Sequence, residues 1–200
     1  MRSDVHALVI IDVQNDFLPG GSLAVKDGDQ VIPVANEAAA RFELVVATQD
    51  WHPQSHKSFA SNNGKRVGEL FELDGMPQVM WPDHCMQNTR GAEFAASLTK
   101  KIDKKFHKGT NEGIDSYSGF FDNGHKQATG MGAWLKAQSV TAVTLVGLAT
   151  DYCVKFTALD ARQLGFETSV IVAGVRGVEL QLGDIEKAFT EMRAAGCKLI

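Results

Sequence analysis

The stretch Ala142-Val-Thr-Leu-Val-Gly-Leu-Ala-Thr-Asp-Tyr-Cys-Val-Lys155 decides the fold. Its first five residues form an unbroken run that reads as a strand buried on both faces, the mark of a strand inside a parallel sheet. Gly147 ends the run, and 151–164 follows with Val154, Leu159 and Leu164 near helical spacing until Gly165 stops the pattern. A strand that passes straight into a helix is half of a βα unit.

The same alternation extends in both directions. Residues 7–11 (ALVII) read as a buried strand ending at Asp12, 31–41 as a helix with Pro33 in its first turn, and 44–47 (LVVA) as a strand ending near Asp50. Residues 92–98 read as a short helix, 102–106 as a more charged strand, 131–138 as a helix and 168–172 (TSVIV) as another strand. A closing helix spans 185–195, capped by Gly196, and 198–200 begins a last strand. Residues 51–91 and 109–126 are long, Gly-rich connections of the kind that tend to carry function. The pattern predicts an α/β fold: one domain over 1–200, a three-layer αβα sandwich with a mostly parallel central sheet.

Composition narrows the classes. With 44% hydrophobic and 22% charged residues, the 200-residue chain is neither disordered, collagenous nor coiled coil. A net charge of −4 argues against nucleic acid or an anionic membrane as partner. No apolar run approaches the roughly 18 residues a spanning helix needs. Residues 1–11, with Asp4 and His6 ahead of the first strand, show no signal-peptide core. Three widely spaced cysteines suit a reducing compartment, so a cytoplasmic location is expected.

In open α/β sheets, sites lie beyond the carboxyl ends of the strands. There the chain delivers Asp12, Asp50, His107 with Lys108, and Cys153. Cys153, at the mouth of a helix, is the natural nucleophile, because helix N-termini favour a thiolate and their free N–H groups can hold an oxyanion. Asp12 would take the thiol proton, and Lys108 would hold Asp12 ionised. The bland alternatives are a small buried cysteine, a loop-bracing aspartate and an exposed lysine. A second group is Asp50-Trp-His52, whose first and third side chains point the same way on an extended segment, with His84 as a further ligand. Two imidazoles and a carboxylate suit Zn, Fe or Mn. His56 reads as a brace or a donor behind the ligands, and Cys85 as buried rather than ligating. His6 and His125 read as surface residues and Cys197 as core. Phe17, Trp81 and Tyr117 lie in loops after strand ends, where they either sandwich a flat ring or anchor their loops.

Taken together, Asp12-Val-Gln-Asn-Asp-Phe17, Asp50-Trp-His-Pro53, Trp81-Pro-Asp-His-Cys85, His107-Lys-Gly109, Asp115-Ser-Tyr-Ser118 and Gly147-Leu-Ala-Thr-Asp-Tyr-Cys-Val154 resemble the nicotinamidases. That family, which includes enzymes also acting on pyrazinamide, sits among the isochorismatase-like cysteine hydrolases, and the motifs span nearly the whole chain in order. The resemblance implies a triad of Asp12, Lys108 and Cys153 acting through a thioester. It implies an oxyanion hole of the Ala149 and Cys153 N–H groups, with a cis peptide joining Leu148 to Ala149. It assigns one divalent metal, zinc first with iron or manganese as alternatives, to Asp50, His52 and His84. Phe17, Leu23, Trp81 and Tyr117 would surround nicotinamide, whose hydrolysis serves NAD salvage. The oligomeric state, monomer or homo-oligomer, stays open, and the family's chains continue for a short segment past the position of Ile200. Sister amidohydrolases acting on carbamoyl or ureido compounds are the nearest rival. A nucleotide-binding module is disfavoured, because no G-x-G-x-x-G follows a strand.

Overall fold

The computed structural model describes residues 5–99 and 101–200; the N-terminal reading at 1–4 lies outside them. In chain order come β1 (Val5–Ile11), α1 (Val31–Arg41), β2 (Leu44–Asp50), β3 (Leu70–Leu73), β4 (Met76–Val79), β5 (Lys104–Lys108), α2 (Met131–Ala137), β6 (Val140–Leu148), α3 (Lys155–Gln163), β7 (Glu167–Arg176), α4 (Asp184–Ala194) and β8 (Lys198–Leu199). Among the described residues the main sheet runs β5-β2-β1-β6-β7-β8, and every neighbouring pair in it is parallel.

Both faces of this sheet are covered, as the continuous apolar strands require. Ala7, Val9 and Ile11 of β1 face one layer, where they meet Met131 and Leu135 of α2, Ala158 and Ala161 of α3, and Ala188 and Met192 of α4. Leu8 and Ile10 face the other, against Val31, Ile32, Ala35 and Ala39 of α1 and the buried Ala92, Ala95 and Leu98. The strand's two-residue period therefore divides one apolar run between two cores. The chain fills the sheet to one side of β1 with β2 and β5, then crosses to β6. That reversal makes the β1–β6 boundary the topological switch point, the place where α/β sheets open a crevice.

Two expected elements differ. Residues 92–98 form no helix: after a single 3-10 turn at Arg90–Ala92 the backbone bonds sideways. The Asn15 N–H donates to Glu93 O at 3.0 Å and the Ala95 N–H to Val13 O at 3.0 Å. The three-residue apolar spacing is met by a segment pinned to the loop after β1. The strand expected at 102–106 lies at Lys104–Lys108 instead. Asp103 accounts for the shift, its Oδ2 accepting from the Val45 N–H at 2.8 Å ahead of the regular ladder. Within the 51–91 connection, expected to be a loop, β3 and β4 pair as an antiparallel hairpin.

Candidate active site

Four neighbouring strands bring the predicted side chains to one edge. Asp50 and Lys108 are direct register partners at the ends of β2 and β5, so their side chains leave the sheet together. Asp12 follows β1 in a left-handed conformation (φ 48), and its Oδ1 accepts from Thr48 Oγ1 at 2.6 Å. Backbone strain of this kind in a non-glycine residue concentrates at functional sites. β6 approaches β1 so closely that a Cβ on Gly147 would sit 2.0 Å from Ile11 O, so this position admits only glycine. After the cis peptide between Leu148 and Ala149, a π-helical turn at Thr150–Val154 leads into α3 and carries Cys153.

Lys108 is the hub. Its Nζ donates to Asp50 Oδ1, to Ser116 O at 2.9 Å and to Cys153 Sγ at 3.3 Å. It also lies 2.9 Å from Asp12 Oδ2, as a charge contact off hydrogen-bond geometry. Ligand atoms of Asp12, Asp50 and Cys153 all fall within 4.8 Å of one another. Burial opposes the charge on Lys108, but Asp12 and Asp50 overcome it and hold its pKa well above the ordinary lysine value. Burial likewise works against ionised Asp50, yet the Lys108 ammonium holds its pKa well below the carboxylate range. Asp12 goes the other way: burial, with Asp50 adding to it and Lys108 opposing, raises its pKa. Two carboxylates around one ammonium are thus pushed apart, the pattern that separates a base from a permanently charged group.

Cys153 is set among opposing charges. Burial, together with Asp12 and Asp50, pushes its thiol well above the ordinary value, and Lys108 offsets this only in part. The sulfur thus sits between opposing influences, burial with the two carboxylates on one side and Lys108 on the other.

The second group also assembles. His52 Nε2 lies 3.7 Å and His84 Nε2 3.8 Å from Asp50 Oδ2. The Nδ1 atoms face backbone carbonyls, His52 on Gly109 O at 2.9 Å and His84 on Pro82 O at 2.7 Å. A carbonyl only accepts, so each Nδ1 carries its proton and each Nε2 offers a lone pair to the shared space. Two lone pairs and a carboxylate oxygen converging in a buried site call for a cation. The donor set fits a divalent metal with its outer carbonyls already in place. His56 is buried behind His52, ring centroids 4.3 Å apart, with Nδ1 on Ser58 Oγ at 2.7 Å. Cys85 is buried beside these ligands: its backbone O accepts from the His52 N–H at 3.0 Å, and its Sγ faces Gly91 O at 4.0 Å. Cys197 is in the core as read. His125, read as surface, is half-exposed yet pairs with the buried Asp160 at 3.2 Å.

Between the two groups opens a pocket of ≈ 360 Å³. Phe17, Leu23, Trp81 and Tyr117, all predicted, line it with Asp50, His84, Ala149 and Cys153. Asp115, Tyr152 and Val178 line it too and were missed by the sequence reading. Asp115 and Tyr152 stand inside quoted motifs, which was a usable signal; Val178, in a loop after β7, had none. Val178 is placed by Asp151, whose Oδ1 accepts its N–H at 2.9 Å. The pocket thus offers a thiol group beside a carboxylate and an ammonium, aromatic walls, and a cation site formed by Asp50, His52 and His84.

Comparison with known proteins fits this geometry. The sequence model described as Isochorismatase domain matches residues 6–200. A nicotinamidase of Escherichia coli (strain K12) is 50% identical over 199 residues, covering 97% of this chain and 93% of that protein. The solved nicotinamidase pyrazinamidase of Acinetobacter baumanii superposes with a TM-score of 0.96 at 46% identity, covering 100% of this chain and 97% of the other. The pyrazinamidase of Pyrococcus horikoshii, solved in complex with zinc, gives a TM-score of 0.80 at 37% identity, with 98% of each chain covered.

Proposed function

This chain belongs to the isochorismatase domain family, and from that premise we propose that it is a cysteine amidohydrolase converting nicotinamide and water to nicotinate and ammonia. The observation that carries the reading is the 3.3 Å approach of Lys108 Nζ to Cys153 Sγ at the rim of an aromatic-walled pocket. Pyrazinamide, with the same carboxamide on a flat nitrogen heterocycle, fits the same walls.

In this mechanism Asp12 accepts the thiol proton as Sγ attacks the amide carbon, so charge develops only as the new bond forms. The N–H groups of Ala149 and Cys153 hold the oxyanion, a contribution of about 2.7–4 kcal/mol per donor in a comparable hydrolase. Protonated Asp12 returns its proton to the amine, the C–N bond breaks, and ammonia leaves a thioester on Cys153. Asp12, again a base, deprotonates a water that attacks the thioester, and nicotinate departs as the sulfur regains a proton. Lys108 keeps a positive charge beside both atoms that exchange the proton. Phe17, Leu23, Trp81 and Tyr117 hold the ring.

Asp50, His52 and His84 would hold a divalent ion, zinc first with iron or manganese as alternatives, which would supply a Lewis-acid anchor for the ring nitrogen. The nucleophile is sulfur, so the site has no need of a metal hydroxide. The reading places the enzyme in cytoplasmic NAD salvage, acting as one domain on a small molecule.

The test is ammonia release from nicotinamide by the purified protein, before and after treatment with a chelator. Turnover that falls on chelation and returns with a divalent ion is expected. No ammonia from nicotinamide with the metal restored would overturn the substrate assignment.

A further inference from the structure

Gln78 lies in β4 of the hairpin and is buried, with 3% of its surface exposed. The hairpin turns at Asp74-Gly75, both with positive φ, and so returns Gln78 toward the sheet edge. The Gln78 Nε2 divides its two N–H groups among three acceptors, one N–H being shared: Val79 O at 2.7 Å, Asp115 Oδ2 at 3.0 Å and Tyr117 Oη at 3.1 Å. A carbonyl and a carboxylate both require a donor, which fixes the orientation of the amide. Tyr117 Oη also accepts from Trp81 Nε1 at 3.2 Å. The rings of Trp81 and Tyr117 each pack edge-on against Tyr152, with centroids 5.0 and 5.2 Å apart. Gln78 itself does not line the pocket, yet it reaches Asp115 and Tyr117 directly and Trp81 through Tyr117, and all three line it.

We propose that Gln78 is a positioning residue: its amide fixes Tyr117, and through it Trp81, in the orientation that receives the flat ring of the substrate. Asp115 supports the arrangement from behind, its Oδ1 accepting from the Ser116 N–H at 2.8 Å. Ser116 O in turn receives Lys108 at 2.9 Å, so the segment is held at both ends. Removing the amide leaves a buried carboxylate and a phenol short of one donor. The aromatic wall then shifts, while the atoms that exchange the proton keep their partners. The effect should fall on KM rather than kcat.

Gln78→Leu and the nearly isosteric Gln78→Met test this. Either variant should raise KM for nicotinamide about fivefold to tenfold, the loss of one modest hydrogen bond, with kcat held within about twofold. On a Tyr117→Phe background the same change should add less than about twofold, because the two residues share the contact. In ¹⁵N-labelled protein the indole N–H resonance of Trp81, assigned with Trp81→Phe, should move while those of Trp51 and Trp134 stay. An unmoved Trp81 resonance overturns the proposal, as does an unchanged KM. Loss of fold in both variants, by circular dichroism, also overturns it and leaves Gln78 a structural part. The KM arm rests on the proposed reaction and the resonance arm does not. A wild-type protein inactive on nicotinamide would sink the substrate assignment while the resonance still decided the role of Gln78.

Discussion

Lys108 Nζ stands 3.3 Å from Cys153 Sγ, close enough to donate to it, yet the thiol is held well above its ordinary pKa. The ammonium is shared between the sulfur and two carboxylates. Its charge is met by Asp50 and Asp12, and both carboxylates add to the burial that raises the pKa of the thiol. In the proposed mechanism that proton passes to Asp12 as the sulfur attacks.

Cys153→Ala removes the proposed nucleophile and little else. Hydrolysis of nicotinamide should fall by about 10⁴-fold or more, the scale seen when a nucleophile is deleted from a comparable hydrolase. The circular dichroism spectrum should stay as in the wild type, since a buried thiol gives way to a small apolar group. Ammonia assays at high protein concentration measure the residue of activity, and near-full turnover would rule out the covalent route.

Lys108→Met should be a stability mutant as well as an inactive one. It leaves Asp12 and Asp50, both buried, without the cation between them. Breaking a buried ion pair from one side costs about 3–5 kcal/mol, and urea unfolding should register a loss of that size. A midpoint equal to wild type would show that the two carboxylates are neutralised in some other way.

Asp12 has to be ionised to act as a base. Burial and Asp50, opposed by Lys108, raise its pKa. Activity is therefore present above that raised value and lost as the pH falls through it. The acid limb of kcat/KM should lie above the ordinary aspartate value of about 3.9. A limb at or below that value, read from initial rates across the pH range, would take the base role away from Asp12.

Gly109→Ala tests the support of the cation site without touching a ligand. A Cβ at this position would lie 2.3 Å from His52 Cε1, and the backbone φ of +64 disfavours any side chain there. His52 should lose its alignment on Gly109 O, and affinity for the divalent ion should fall about 10- to 100-fold, as for other outer contacts of metal ligands. Metal titration of the stripped protein, followed by elemental analysis, gives the number. Unchanged affinity would mean that His52 does not depend on this carbonyl.

Much of the plan was readable along the chain. Buried strands announce themselves through continuous apolar runs such as 7–11 and 142–146, and breakers such as Gly147 and Gly165 act over one or two positions. Asp12, Asp50, Lys108 and Cys153 could be placed at one edge because βα connectivity sends every strand end the same way. The helix expected at 92–98 failed because a spacing of three satisfies a helix and a pinned loop alike, and only the partners at Val13 and Asn15 separate them. The β3–β4 hairpin carried a signal in Asp74-Gly75 between short apolar segments, masked by the length of the connection around it.

What the linear order could settle, then, was which reactive groups exist and which end of the sheet receives them, since both depend on short-range periodicity. Only the folded arrangement decided their states. The register that sets Asp50 beside Lys108, the burial that raises the pKa of both Cys153 and Asp12, and the reach of Gln78 to Tyr117 all join residues far apart in the chain. A proton's preference and a ring's orientation depend on surrounding charge and solvent exclusion, and a sequence acquires those surroundings only by folding.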